Sequence, residues 1–202
     1  MKSLILVCFL SYILGSIPFG YIIGKVFKKV DVREKGSKNI GATNVTRTIG
    51  ITYGIIVLIL DVMKGIIAVN LFSQIYVNEI WMIDIELVKM LSGISVVLGH
   101  MFSIFLLFEG GKGVATSAGV FLSIAPYIFL ISFVIFIIIF LITKYVSASS
   151  IAMVLTFTFL LILFQLDKFY IYSTAFIALL IIIKHIPNIK RIINKSELKL
   201  NI

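Results

Sequence analysis

Residues Glu34 to Arg47 combine the side chains and backbone that a phosphate group requires. The stretch holds Gly36 and Gly41, Asn39 and Asn44, Ser37 and Thr43, and the cations Lys35, Lys38 and Arg47, with Arg33 just upstream. Glycine lets neighbouring backbone N–H groups turn toward one point, and such a concave nest binds anions. Arg47 adds a guanidinium able to grip two oxygens at once. The same composition also fits a basic loop resting on lipid headgroups.

A second glycine segment, Glu109-Gly110-Gly111-Lys112-Gly113, precedes Val114-Ala115-Thr116. Three glycines and a lysine here open a new helix, whose N-terminal amides favour negative charge. The segment resembles a nucleotide P-loop only superficially. That motif needs glycine five residues before Gly111 and Ser or Thr straight after Lys112, where Leu106 and Gly113 stand. ATP binding is therefore disfavoured.

Two further polar segments follow. Lys144-Tyr145-Val146-Ser147-Ala148-Ser149-Ser150 clusters hydroxyls, and His185-Ile186-Pro187-Asn188-Ile189-Lys190-Arg191 sets a titratable imidazole three residues from an amide. Near neutral pH, His185 can take or give a proton, or simply make hydrogen bonds at an interface. Asp61 and Lys64 lie three apart on one helical face, where an ion pair between helices and a substrate contact are both open. His100, alone after a glycine near a helix end, reads as a packed, hydrogen-bonded residue rather than a catalyst.

The elements that must position these residues are set by composition. Of 202 residues, 60% are hydrophobic and 13% charged, with a mean hydropathy of +1.16. Such a chain is an all-α, polytopic integral membrane bundle, read as a single domain over 1–202. The net charge of +9 then bears on membrane orientation and anionic ligands. Aromatic and basic residues do not alternate as base stacking would need, so no nucleic-acid partner is expected. Cys8 is the sole cysteine, which excludes an internal disulfide. The inner loops carry no cluster of Asp or Glu for a Mg²⁺ ion, so no metal site is expected.

About seven transmembrane helices are predicted. Ser3–Gly24 spans first, with a kink at Gly15–Tyr21. Thr48–Phe72 and Met90–Phe108 follow, and Val114–Thr143 makes two short passes broken near Ala125-Pro126. Ile151–Leu166 and Phe169–Ile183 complete the set. Lys25, Lys28, Lys29, Arg33, Lys35, Lys38 and Arg47 form the densest basic run, so the first loop is cytoplasmic and the N-terminus outside. Ser73–Glu86, which lacks Lys and Arg and carries Tyr76 and Trp81, is an outside loop. The basic tail is inside. All the glycine-rich polar segments thus fall on the cytoplasmic face against an apolar interior. That arrangement suits an enzyme acting on an anionic head and a fatty chain. An organic-anion or lipid transporter is the alternative, although transporters more often place polar breaks near the midplane and show repeat symmetry.

The motifs together resemble a known family. Gly36-Ser37-Lys38-Asn39-Ile40-Gly41-Ala42-Thr43-Asn44-Val45-Thr46-Arg47 is similar to the first signature of the bacterial acyl-phosphate-dependent glycerol-3-phosphate acyltransferases. Gly99-His100-Met101-Phe102 with Gly110–Thr116 resembles the second. His185, Asn188, Ile189 and Arg191 with Glu197 resemble the third. Tyr145–Ile151 and Asp61-x-x-Lys64-Gly65 also match, so the resemblance covers essentially the whole chain. Departures are Ser103 where Pro is frequent, Glu109 where Lys is frequent, and Lys195 in place of a glycine, which bears on the tight turn ahead of Glu197.

The resemblance implies acyl transfer from acyl phosphate to the 1-hydroxyl of glycerol 3-phosphate, giving lysophosphatidic acid and phosphate, in a bacterial cell membrane and without a cofactor. It implies a catalytic set of Ser37, Arg47, Lys112, His185 and Asn188. The phosphate-binding set adds Gly36, Asn39, Gly41, Thr43, Asn44, Gly111, Gly113, Ser147 and Ser149. Which loop takes which substrate is left open.

Overall fold

A computed structural model describes residues 2–77 and 84–200. Among the described residues every regular element is helical. The chain divides into two compact units, Met1–Ser123 and Ile124–Ile202, taken here in turn. Residues 78–83 of the expected outside loop, including Trp81, lie outside the described residues.

The first unit opens with α1 (Lys2–Ser16) and α2 (Phe19–Lys28). They are separated at Ile17-Pro18, since proline has no N–H to continue the ladder. Together they form one apolar span, Ser3–Lys28. After a turn-rich stretch comes α3 (Ala42–Ile49), then α4 (Ile51–Ile67), which runs on through a π-helical turn, Ala68–Phe72. The short α5 (Gln74–Val77) precedes α6 (Ile85–Met101), a 3₁₀ turn Ile104–Leu106, and α7 (Val114–Ile124).

These helices pack backbone to backbone. A methyl group added to Gly99 of α6 would lie 2.1 Å from the Tyr12 carbonyl oxygen of α1. Polar contacts add to this close packing, as is usual between membrane helices: Ser11 Oγ and Ser92 Oγ are 2.7 Å apart, and Ser92 donates to the Ala68 carbonyl at 2.6 Å.

The second unit comprises α8 (Pro126–Thr143), α9 (Val146–Leu163) and α10 (Lys168–Ile193). Met153, Val154, Phe157 and Leu161 of α9 and Ile177 and Ile181 of α10 are all buried. On α8, Tyr127 and Ile142 are 82% and 78% exposed, as suits side chains facing lipid.

Among the described residues seven apolar helical segments occur where about seven passes were expected. Six are long and apolar enough to cross a membrane, and the break falls at Ala125, before Pro126. The remaining segment, α7, has 11 residues and rises only about 16 Å at 1.5 Å per residue, against a hydrocarbon core of about 30 Å.

Candidate active site

The first glycine loop is built around Asn44. This side chain, 1% exposed, lies on α3, and its Nδ2 donates to the carbonyls of Val32 (2.8 Å), Lys35 (3.1 Å) and Asn39 (2.8 Å). Its Oδ1 accepts the N–H of Ser37 at 2.7 Å. Gly36 sits at φ +58, and a Cβ there would lie 2.3 Å from Asn44 Oδ1, so both its backbone angle and its lack of a side chain are required. Asn44, expected among the phosphate ligands, therefore has its amide engaged in folding the loop. Asn39 plays a similar local part, accepting the N–H of Gly41 at 2.9 Å.

Upstream, Asp31 accepts from Arg33 Nε at 3.0 Å and Nη2 at 2.8 Å. The Arg33 hydrogen bonds hold the Asp31 carboxyl well below the usual range, against the opposing effect of burial. Arg33, counted above among the loop cations, is thus paired within the fold. It also lies 4.5 Å over the Tyr21 ring. Ser37, Thr43 and Arg47 remain half-buried in and beside the loop.

The second glycine loop folds back on the end of α6. The Gly111 N–H donates to the His100 carbonyl at 3.0 Å. The glycine amides at 41 and 111, expected to face an anion, are therefore both used internally, because each loop must first hold its own turn. The amides that precede the first intrahelical bonds are those at the starts of α3 and α7. In α7 the first such bond runs from Ser117 to Gly113, at 2.8 Å, leaving the Val114, Ala115 and Thr116 amides at the positive helix end. Lys112, half-buried, stands just before them.

Both loops grow from one apolar floor. Leu106, just ahead of the second loop, packs with Val32, Ile40 and Val45 around the first. Beside them a cavity of about 370 Å³ is lined by Tyr21, Arg33, Phe105, Leu106, Leu107 and Glu109.

In the second unit, Glu197 gathers the third motif. It accepts from Ser147 Oγ at 3.0 Å, Asn188 Nδ2 at 2.6 Å and Arg191 Nε at 2.7 Å. Burial pushes its carboxyl up, but hydrogen bonds from Asn188, Arg191 and Ser147 outweigh this, so its pKa is lowered. Ser147, expected as a phosphate ligand, thus donates to Glu197. Ser149, expected likewise, is fully buried and returns its hydroxyl to the Tyr145 carbonyl at 3.0 Å. His185 is buried on the same face of α10 as Asn188. Its Nδ1 lies 2.8 Å from the Ile181 carbonyl, which can only accept. The proton of the neutral ring therefore sits on Nδ1, and Nε2 is the basic nitrogen.

Lys195 adopts φ +54, and the Ser196 N–H reaches the Arg191 carbonyl at 2.8 Å. The tight turn before Glu197 forms without the glycine. Glu197 was legible only as a motif member, and nothing in the sequence marked it as the hub. The pairing of His100 with Asp61 was likewise missed, since the two lie far apart in the chain.

The helices define a polytopic membrane protein whose first unit carries two glycine turns on a shared apolar cluster, each leading into a helix N-terminus. The chain belongs to the glycerol-3-phosphate acyltransferase family, whose pattern it matches over residues 5–195; it is an acyltransferase of phospholipid synthesis. It is 43% identical to "Glycerol-3-phosphate acyltransferase 2" of Bacillus anthracis over 198 residues, covering 97% of this chain and 98% of that one. The crystal structure of PlsY (YgiH), an integral membrane glycerol 3-phosphate acyltransferase, matches in its glycerol 3-phosphate form with a TM-score of 0.90 at 36% identity, over 98% of this chain and 96% of that one. Its lysophosphatidic acid form matches with a TM-score of 0.87, at the same identity and coverage.

Proposed function

We propose that the protein transfers a fatty acyl group from acyl phosphate to the 1-hydroxyl of glycerol 3-phosphate. The products are lysophosphatidic acid and inorganic phosphate. The observation that carries this reading is the pair of glycine turns on one apolar floor, each leading into a helix N-terminus. Two phosphate-bearing substrates need two anion sites, and a fatty chain needs an apolar neighbour. The relatives' named acceptor, glycerol 3-phosphate, supplies one of the two phosphates.

In this reaction the hydroxyl oxygen attacks the acyl carbonyl carbon and the carbon–oxygen bond to phosphate breaks. The hydroxyl proton passes to the departing phosphate. Phosphate is a good leaving group, so no acyl-enzyme is required. Orientation and charge neutralisation supply most of the rate, since well-placed reactants reach effective molarities on the order of 10⁵ M or more. Ser37, Arg47 and Lys112 hold phosphate oxygens with the α3 and α7 amides, and His185 and Asn188 orient glycerol 3-phosphate. Asn44 shapes the first loop without touching substrate, and Glu197 holds Asn188 in place.

The site faces the cytoplasm of a bacterial cell, with the N-terminus outside. The concentration of Lys and Arg in the inner segments supports this orientation. Cysteines placed at Asn78 and Lys195, after Cys8→Ser, should label from the outside and the inside respectively.

The donor is tested with the purified enzyme in detergent, given glycerol 3-phosphate and one of acyl phosphate, acyl-CoA or acyl-carrier protein. Product should form with acyl phosphate alone. Turnover with acyl-CoA but not acyl phosphate would overturn the reading.

A further inference from the structure

One buried network outside the phosphate-holding set ends on the second glycine loop. His100, the penultimate residue of α6, is 4% exposed. Its Nδ1 lies 3.1 Å from Thr116 Oγ1 on α7 and 3.6 Å from Asp61 Oδ1 on α4. Asp61 pairs with Lys64 at 2.9 Å. The Lys64 ammonium in turn donates to the carbonyls of Gly15 (3.2 Å) and Ile17, at the break between α1 and α2.

The other edge of the imidazole meets the loop. A methyl group added to Gly111 would lie 2.2 Å from His100 Nε2, and one added to Gly110 would lie 2.1 Å from the His100 carbonyl oxygen. That carbonyl also accepts the Gly111 N–H. Ring and carbonyl together are the surface over which the turn is laid.

Buried charges are costly to desolvate, and apolar side chains hold helices together as well or better. Helix cohesion alone therefore does not account for an aspartate, a lysine and an imidazole in one apolar bundle. An oriented ring does. Thr116 lies within hydrogen-bond distance of the ring's Nδ1 and Asp61 stands just beyond at 3.6 Å, on a different helix, while the opposite edge of the ring backs the turn that presents Lys112.

We propose that His100 is a positioning residue for the Gly110–Gly113 turn, its ring held by Asp61 and Thr116 so that Lys112 and the first amides of α7 meet a substrate phosphate. This rests on reading the turn as an anion site.

The test is a double-mutant cycle of His100→Asn and Gly111→Ala, purified in detergent, with kcat, the KM of each substrate and Tm measured. Asparagine keeps a polar group near Thr116 and Asp61 but vacates the edge that the added methyl would strike. Gly111→Ala should raise the KM of one phosphate-bearing substrate about tenfold or more and leave the other within about twofold. His100→Asn should raise the same KM with little change in Tm. The double variant should recover at least about threefold in kcat/KM over Gly111→Ala alone, because the two changes share one volume.

Effects that multiply without recovery would overturn the proposal, as would His100→Asn lowering Tm while leaving both KM values unchanged. If His100→Asn does not purify, His100→Ala closes the same cycle. Lys112→Ala separates the two levels. Unchanged kinetics in it would sink the anion-site reading and the proposal together, whereas an impaired Lys112→Ala beside multiplying effects would sink the positioning role alone.

Discussion

Asn44 Oδ1 accepts the main-chain N–H of Ser37 at 2.7 Å, so a residue on α3 sets the backbone of the loop seven positions earlier. The amide's other end faces three carbonyls. Asn44→Ala should cost about 1–3 kcal/mol of stability, the usual effect of leaving buried groups unsatisfied. Asn44→Asp should be worse, because it sets a carboxylate against carbonyl oxygens. Thermal unfolding in detergent of both variants checks the order, and an aspartate variant as stable as wild type would contradict the geometry.

His185 has its Nδ1 proton committed to Ile181, leaving two roles for Nε2. A general base contributes roughly 10²–10⁴-fold, whereas an orienting group mainly sets KM for glycerol 3-phosphate. His185→Gln is expected to keep more activity than His185→Ala, with the acidic limb of the pH profile intact, because the departing phosphate takes the proton. Equal inactivity of both, with that limb gone from the residue of activity, would make His185 the base.

Glu197 gives a pH dependence of definite sign. Its folded pKa is below the ordinary value of 4.5, so its contribution is complete above that value and is lost as pH falls through the lower, folded one. Asp31 acts in the same direction. Glu197→Gln should therefore be less stable than wild type at pH 7, by about 1.5–3 kcal/mol for loss of charge-assisted bonds. The gap should narrow below pH 4.5. Tm measured from pH 7 to pH 3.5 in one detergent tests this; a gap that widens on acidification would refute it.

Lys195 holds a left-handed backbone at φ +54 that glycine adopts without steric cost. Lys195→Gly should stabilise the turn by about 1 kcal/mol, less the extra freedom it gives the unfolded chain. A rise in Tm with unchanged activity is the expected result, and a fall would show the lysine side chain to be needed there.

The breaks in the fold were legible because proline announces them. Pro18 and Pro126 each mark the helix interruption expected from the sequence. The second glycine loop was also placed correctly ahead of a helix, whereas Ala42 to Arg47, read from the sequence as the end of the first loop, forms most of α3. What sequence could not show was which way a polar side chain turns. Asn44, Ser147 and Ser149 have the chemistry of phosphate ligands, yet their hydrogen bonds go to the loop, to Glu197 and to their own helix. Composition does not separate an amide that binds substrate from one that folds a loop. Contacts between distant positions, such as Asp61 with His100, carry no local periodicity and were invisible for that reason. Lys195 shows the converse, a turn retained after its glycine is lost.

The link from Lys64 to the carbonyls of Gly15 and Ile17 also bears on how the protein enters its membrane. An aspartate or a lysine at the centre of an inserting helix costs about 2.5–3.5 kcal/mol on insertion scales. On α4 the two neutralise one another, but the ammonium still needs acceptors that α4 cannot provide. The interrupted first span offers them, and it leaves the ribosome before residue 64 does. The kink at Pro18 is thus more than a bend: it frees the carbonyls that complete the coordination of a charge carried by the second span.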